Sequence, residues 1–117
     1  MPKKTFPEER CSRHIQNLLD VHHLKYKFID DDPDMSGYNI ADCSVEIPKP
    51  VAPYNYFVCL HEISHALLKH QKPKTWDDEV RMEIEANELM LKMTIIKAPP
   101  SVRKQFEDNR IKGSWER

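Results

Sequence analysis

Apolar residues recur at helical spacing along most of the chain, and a two-residue alternation is confined to one short middle region. Cys11, Ile15, Leu18 and Leu19 form the first stripe, so residues 6 to about 22 read as a helix. Thr5 is a candidate cap for it, Pro7 suits its first turn, and Glu8-Glu9 complement the helix dipole. The period then changes. Residues 26–29 (Tyr-Lys-Phe-Ile) read as a short strand, followed by turn chemistry in Asp30-Asp31-Asp32-Pro33-Asp34. Residues 38–47 alternate imperfectly and supply one or two further strands. Pro48, Pro50 and Pro53 confine this segment to a sheet edge or an extended connection. Helical periodicity returns over residues 54 to about 70 and is broken by Gln71-Lys72-Pro73-Lys74. Thr75 can cap a third helix reaching about residue 96, with Asp77 and Asp78 in its first turn. Ala98-Pro99-Pro100-Ser101 ends that helix, and Ser101 is a candidate cap for a short fourth one; the tail from Lys112 reads as frayed. The expected fold class is α+β: a small, mostly antiparallel sheet with the second helix and two or three others packed on it.

On the second helix, His61-Glu62-Ile63-Ser64-His65 fits the pattern HExxH. Histidines four apart differ by only about 40° around a helix axis, so both imidazoles can reach one ion. The intervening glutamate can act on a water at that ion as a general base. At about 100° per residue, Phe57, Leu60, Ile63, Leu67 and Leu68 form an apolar arc, with His61 and His65 at its border. His70 falls away from that border and reads as a surface residue near the helix end.

A catalytic zinc takes three protein ligands and leaves one position open. On the third helix Arg81, Glu85, Glu88 and Lys92 share a polar face, so Glu85 points the wrong way. Glu83 lies within the apolar arc of Val80, Ile84, Ala86, Met90 and Met93, with Asn87 one turn later beside it. A carboxylate on a buried face needs a partner, and a metal is a natural one. Glu79, one turn earlier, is the second choice.

Composition narrows the remaining possibilities. The 117 residues suit one domain spanning 1–117, and 39% hydrophobic with 32% charged residues is a globular balance. A net charge of -1 gives no field to gather nucleic acid or anionic membrane. No apolar run approaches the roughly 18–20 residues of a membrane span, and Met1-Pro2-Lys3-Lys4 leads into charge instead of a signal core. Cys11, Cys43 and Cys59 form no CxxC pair and read as buried, reduced thiols of a cytoplasmic protein. His14, His22 and His23 have no carboxylate spaced to join them and read as surface histidines. The acidic run at 30–34 lacks the spacing and central glycine of a calcium loop and reads as a solvated turn.

At Cys59-Leu60-His61-Glu62-Ile63-Ser64-His65-Ala66-Leu67-Leu68, followed by Glu83-Ile84-Glu85-Ala86-Asn87, the sequence resembles the ImmA/IrrE family of metallopeptidases. That family pairs HExxH on one helix with E-x-x-A-N or E-x-x-A-D on the next. The resemblance covers residues 58–93. It implies a minimal zincin-like fold, one zinc ion on His61, His65 and Glu83, catalysis by Glu62, and Asn87 as an outer partner of a ligand. It also implies peptide-bond hydrolysis in a specific protein target, of the kind of a transcriptional regulator, without direct contact to nucleic acid. Two departures stand out: Ser64 where glycine or alanine is common, and Glu88-Leu89-Met90 where a phenylalanine and small residues usually follow. The chain also carries no helix-turn-helix, like the small versions found in bacteriophages and mobile elements. The competing expectation is a metal-stabilised interaction module that regulates a repressor or host factor without cleaving it; Glu62, which zinc binding does not require, weighs against that. Tyr54, Tyr56 and His70 are candidate stabilisers of an oxyanion.

Overall fold

The computed structural model describes residues 6–30 and 36–109, with side chains through residue 104. Thr5, the turn at 31–34 and the tail from Lys112 lie outside those residues. The fold is α+β: among the described residues, four helices and a three-stranded sheet, in the order α1 (Glu8–Val21), β1 (Lys25–Ile29), β2 (Gly37–Asn39), β3 (Ser44–Pro48), α2 (Pro53–Leu67), α3 (Trp76–Met93) and α4 (Pro100–Asn109).

The first helix buries Cys11, Ile15 and Leu19, three positions four apart that lie on one face. It stops in a left-handed residue, His23 at φ 54°. The His23 amide bonds the Asp20 carbonyl (3.2 Å) and the Leu24 amide bonds the Leu19 carbonyl (2.9 Å), the paired bonds of a Schellman end.

The sheet departs from the expectation in two ways. Its order is β1-β3-β2, with β1 parallel to β3 and only β2 antiparallel, so it is mixed instead of mostly antiparallel. The segment expected at an edge, β3, is the central strand. The prolines permit this because Pro48 is the last strand residue and β2 reaches only to Glu46, opposite Gly37. The missing N–H therefore interrupts no ladder on that side. The β2–β3 connection is held by side chains: Asn39 Oδ1 accepts from the Ala41 amide, and Asp42 Oδ1 accepts from the Ser44 amide and hydroxyl.

Val45 and Ile47 of β3 face α2, the central helix of the molecule. Pro53 starts α2 at a position where its missing N–H costs nothing. Every residue from Tyr56 to Ala66 is buried, because β3, α1, α3, α4 and β2 all pack on it. A single apolar arc was therefore too narrow an expectation. Burying a serine in such a helix requires a partner, and Ser64 donates to the Leu60 carbonyl at 2.7 Å, which accommodates the departure from a glycine or alanine.

Thr75 caps α3 as the sequence suggests, its Oγ1 accepting from the Asp78 amide at 3.1 Å. The helix ends at Met93, short of residue 96, where Thr94 turns extended. α4 starts with Pro100; Ser101 lies within it instead of capping it, and the Pro99 carbonyl accepts from the Val102 and Arg103 amides. Cys11 and Cys59 are buried as expected, whereas Cys43 is exposed on the β2–β3 turn with φ 56°. His22 and His23 are exposed, but His14 is half-buried, its Nδ1 2.7 Å from the Tyr56 hydroxyl. No helix among the described residues is long and apolar enough to cross a membrane.

Candidate metal centre

His61 and His65 project from the same side of α2 and meet Glu83, which reaches across from α3. His61 Nε2 stands 2.8 Å from Glu83 Oε2, His65 Nε2 stands 3.2 Å from Glu83 Oε1, and the two Nε2 atoms are 3.2 Å apart. Among the described residues these three side chains form a group able to hold a metal ion. Tetrahedral neighbours at about 2.0–2.1 Å from a zinc ion are about 3.3 Å apart, so the triangle is close to the size required. Two nitrogens and a carboxylate also make a donor set that suits zinc.

Both histidines are buried, while the Glu83 side chain keeps 26% of its surface exposed. Burial opposes its charge, yet hydrogen bonds from His61 and His65 hold its carboxyl far below the usual carboxylate range. The site thus keeps a negative charge facing the two rings. Glu79 is exposed, lines the cavity at the triangle and does not join it.

The far side of each ring is also held. His61 Nδ1 lies 2.9 Å from Oδ1 of the buried Asn87, one turn after Glu83 on α3. His65 Nδ1 lies 2.8 Å from His70 Nδ1, and His70 Nε2 lies 2.9 Å from Glu85 Oε1. His70 is therefore buried (8% exposed) beside the centre and not on the surface. The expectation failed because it carried α2 through residue 70, whereas the helix stops at Leu67 and Lys69 is left-handed (φ 53°). The Lys69 amide then bonds the Ala66 carbonyl (3.1 Å) and the His70 amide bonds the His65 carbonyl (3.2 Å). This Schellman end folds residue 70 back over residue 65. Burial lowers the His70 pKa below the ordinary value, with Glu85 pulling partly the other way.

A cavity of about 370 Å³ opens onto the triangle. Glu62, buried on α2, lines it together with His70 and, from β2, Tyr38. The Tyr38 ring lies parallel to His65 with centroids 6.2 Å apart. Burial and the Cys43 thiol beside its hydroxyl push the Tyr38 pKa up to about 12, so the phenol keeps its proton. Of the three candidate oxyanion stabilisers only His70 lines the cavity; Tyr54 does not, and the Tyr56 hydroxyl is engaged with His14 and the Ile95 amide (3.1 Å). Tyr38 gave no signal in the sequence beyond its place near the start of a strand. No family model, curated protein or solved structure matches the chain.

Proposed function

We propose that the protein is a zinc-dependent endopeptidase of the kind the ImmA/IrrE resemblance implies, built on a minimal zincin-like fold. The observation that supports this reading most is the convergence of His61 Nε2, His65 Nε2 and the Glu83 carboxylate at one end of a cavity that Glu62 also lines. A zinc ion held there supplies Lewis acidity towards a carbonyl oxygen and makes a water molecule easier to deprotonate. Glu62 takes the proton of the attacking water on its carboxylate and passes it to the departing amine nitrogen. Tyr38 lines the same cavity and its phenolic hydrogen is a donor for a bound carbonyl, whereas both nitrogens of His70 are engaged with His65 and Glu85.

The substrate is an extended segment of a protein, lying along β2. Of the described strands β2 pairs only with β3, and a Cβ added at Gly37 would meet no heavy atom within 4 Å, so a second backbone can approach there. This replaces the β3 edge suggested by the prolines, since β3 is enclosed by its two neighbours. Following the resemblance, the target is a transcriptional regulator in the cytoplasm, reached through protein contacts alone.

The test is Glu62→Gln. Size and helix propensity are nearly conserved and the three ligands stay, so zinc content and melting temperature match the parent's. Parent and variant are each incubated with a proteome-derived peptide library, and new termini are read by mass spectrometry. Cleavage by the parent at a narrow set of sites, falling by at least about 10²-fold in the variant, supports the peptidase. Equal effects of the two proteins on a biological target, with no new termini in either, would leave the non-cleaving metal module as the better reading.

A further inference from the structure

Two nitrogens of one imidazole cannot be set independently. A neutral ring has one N–H and one lone pair, and the partner of one nitrogen decides the state of the other. For His61 the partner is an amide oxygen, Asn87 Oδ1, which only accepts. His61 therefore donates from Nδ1, so its Nε2 offers a lone pair once an ion takes the place of the hydrogen shared with Glu83. On His65 the Nδ1 faces His70 Nδ1 at 2.8 Å.

We infer that His70 and Glu85 are positioning residues that together fix the ring and tautomer of His65, an inference that rests on reading His61, His65 and Glu83 as a metal centre. The proton assignment runs in one direction. The Glu85 carboxylate only accepts, so His70 Nε2, 2.9 Å away, carries the hydrogen. In the neutral ring His70 Nδ1 then accepts, so His65 Nδ1 donates across the 2.8 Å contact. With an ion in place of the Glu83 hydrogen bond, His65 Nε2 is left with its lone pair, 3.2 Å from Nε2 of His61. An imidazole–carboxylate pair thus does for one ligand what Asn87 does for the other.

The pair is built by two different elements. The left-handed Lys69 folds His70 back against α2, and Glu85 comes from the face of α3 that also carries Arg81, whose guanidinium is 3.4 Å from the same carboxylate oxygen. A ring that only filled space would need neither of its two polar contacts. Outer partners of metal-bound histidines of this kind change metal affinity by about 10–100-fold when removed.

The experiment measures zinc affinity by competition with a chromophoric chelator for the parent, His70→Asn, His70→Gln and Glu85→Ala, alongside melting of each metal-free protein. Asparagine sets an accepting oxygen where His70 Nδ1 stands; glutamine reaches towards Glu85 and leaves His65 Nδ1 without its acceptor. The expected order is His70→Asn close to the parent, Glu85→Ala weaker, and His70→Gln weaker by about 10–100-fold. If both His70 variants bind as the parent does, or weaken equally, the inference is overturned while the metal centre stands. A parent that binds no zinc overturns both together. Should His70→Gln lose cooperative melting, Glu85→Ala decides, because Glu85 is 42% exposed and its loss leaves the core intact; unchanged affinity there overturns the relay.

Discussion

A thiol reacts as its thiolate, so its environment sets its chemistry. Cys59 is fully buried and donates to the Pro48 carbonyl at 3.1 Å, and burial, helped by the nearby Glu62 charge, raises its pKa well above the ordinary range. Burial raises Cys11 as well, while Cys43 is exposed. A disulfide reagent at pH 8 is therefore expected to modify Cys43 at once and the other two only on unfolding; rapid reaction of all three would contradict the described core. His14 supplies a pH dependence. Burial lowers its pKa, so as pH falls the unfolded chain takes up the proton first, near the ordinary value of about 6.5. The stability it contributes is complete above that pH and is lost as pH drops below it. Glu83, held low by the two histidines against its own burial, adds a further loss beginning below about pH 4.5 in metal-free protein. Denaturant titrations of metal-free protein at several pH values should show both regions, and His14→Gln should flatten the upper one.

Helix ends decide much of what the sequence did and did not reveal. The outer role of Asn87 came only with the resemblance, and Thr75 from cap chemistry. The HExxH pair, the inward Glu83 and the place of Asn87 one turn later follow from helical spacing, which is insensitive to where a helix stops. His70 and Glu85 do not, because their meeting depends on the last turn of α2. A glycine normally marks a left-handed helix end, and the chain has only Gly37 and Gly113. Here His23 and Lys69 fill that position without a compositional signal. In α1 the residues brought together, Leu19 and Leu24, belong to the apolar core; in α2 the equivalent pair is His65 and His70. The same backbone device serves packing at one end and polar chemistry at the other. Lys69→Gly should raise stability by about 1 kcal/mol, since it removes a Cβ from the left-handed region. Lys69→Val should lower stability and weaken zinc binding together. Thr75→Ala, which removes the cap of the helix carrying Glu83, should cost about 1 kcal/mol by thermal or chemical denaturation.

At the scale of the molecule, α2 is the axis on which every other helix and β3 pack, so the HExxH segment is held rigidly from several sides. Local patterns showed that helices and short strands exist, and the α+β class follows from that. Strand order did not follow, because β1 and β3 meet across an intervening strand in the sequence and no local period reports such pairing. Enclosing β3 leaves β2, with Gly37 and Tyr38 at the cavity, as the edge beside the candidate ligands His61, His65 and Glu83. The proposed chemistry depends on an ion held by His61, His65 and Glu83. The most direct measurement is zinc per chain, by elemental analysis after dialysis against buffered zinc, on the parent, His61→Ala and Glu83→Ala. The account predicts a single ion per chain in the parent, little in either variant, and a rise in the parent's melting temperature on loading. A parent without zinc, or variants that keep it in full, would contradict it.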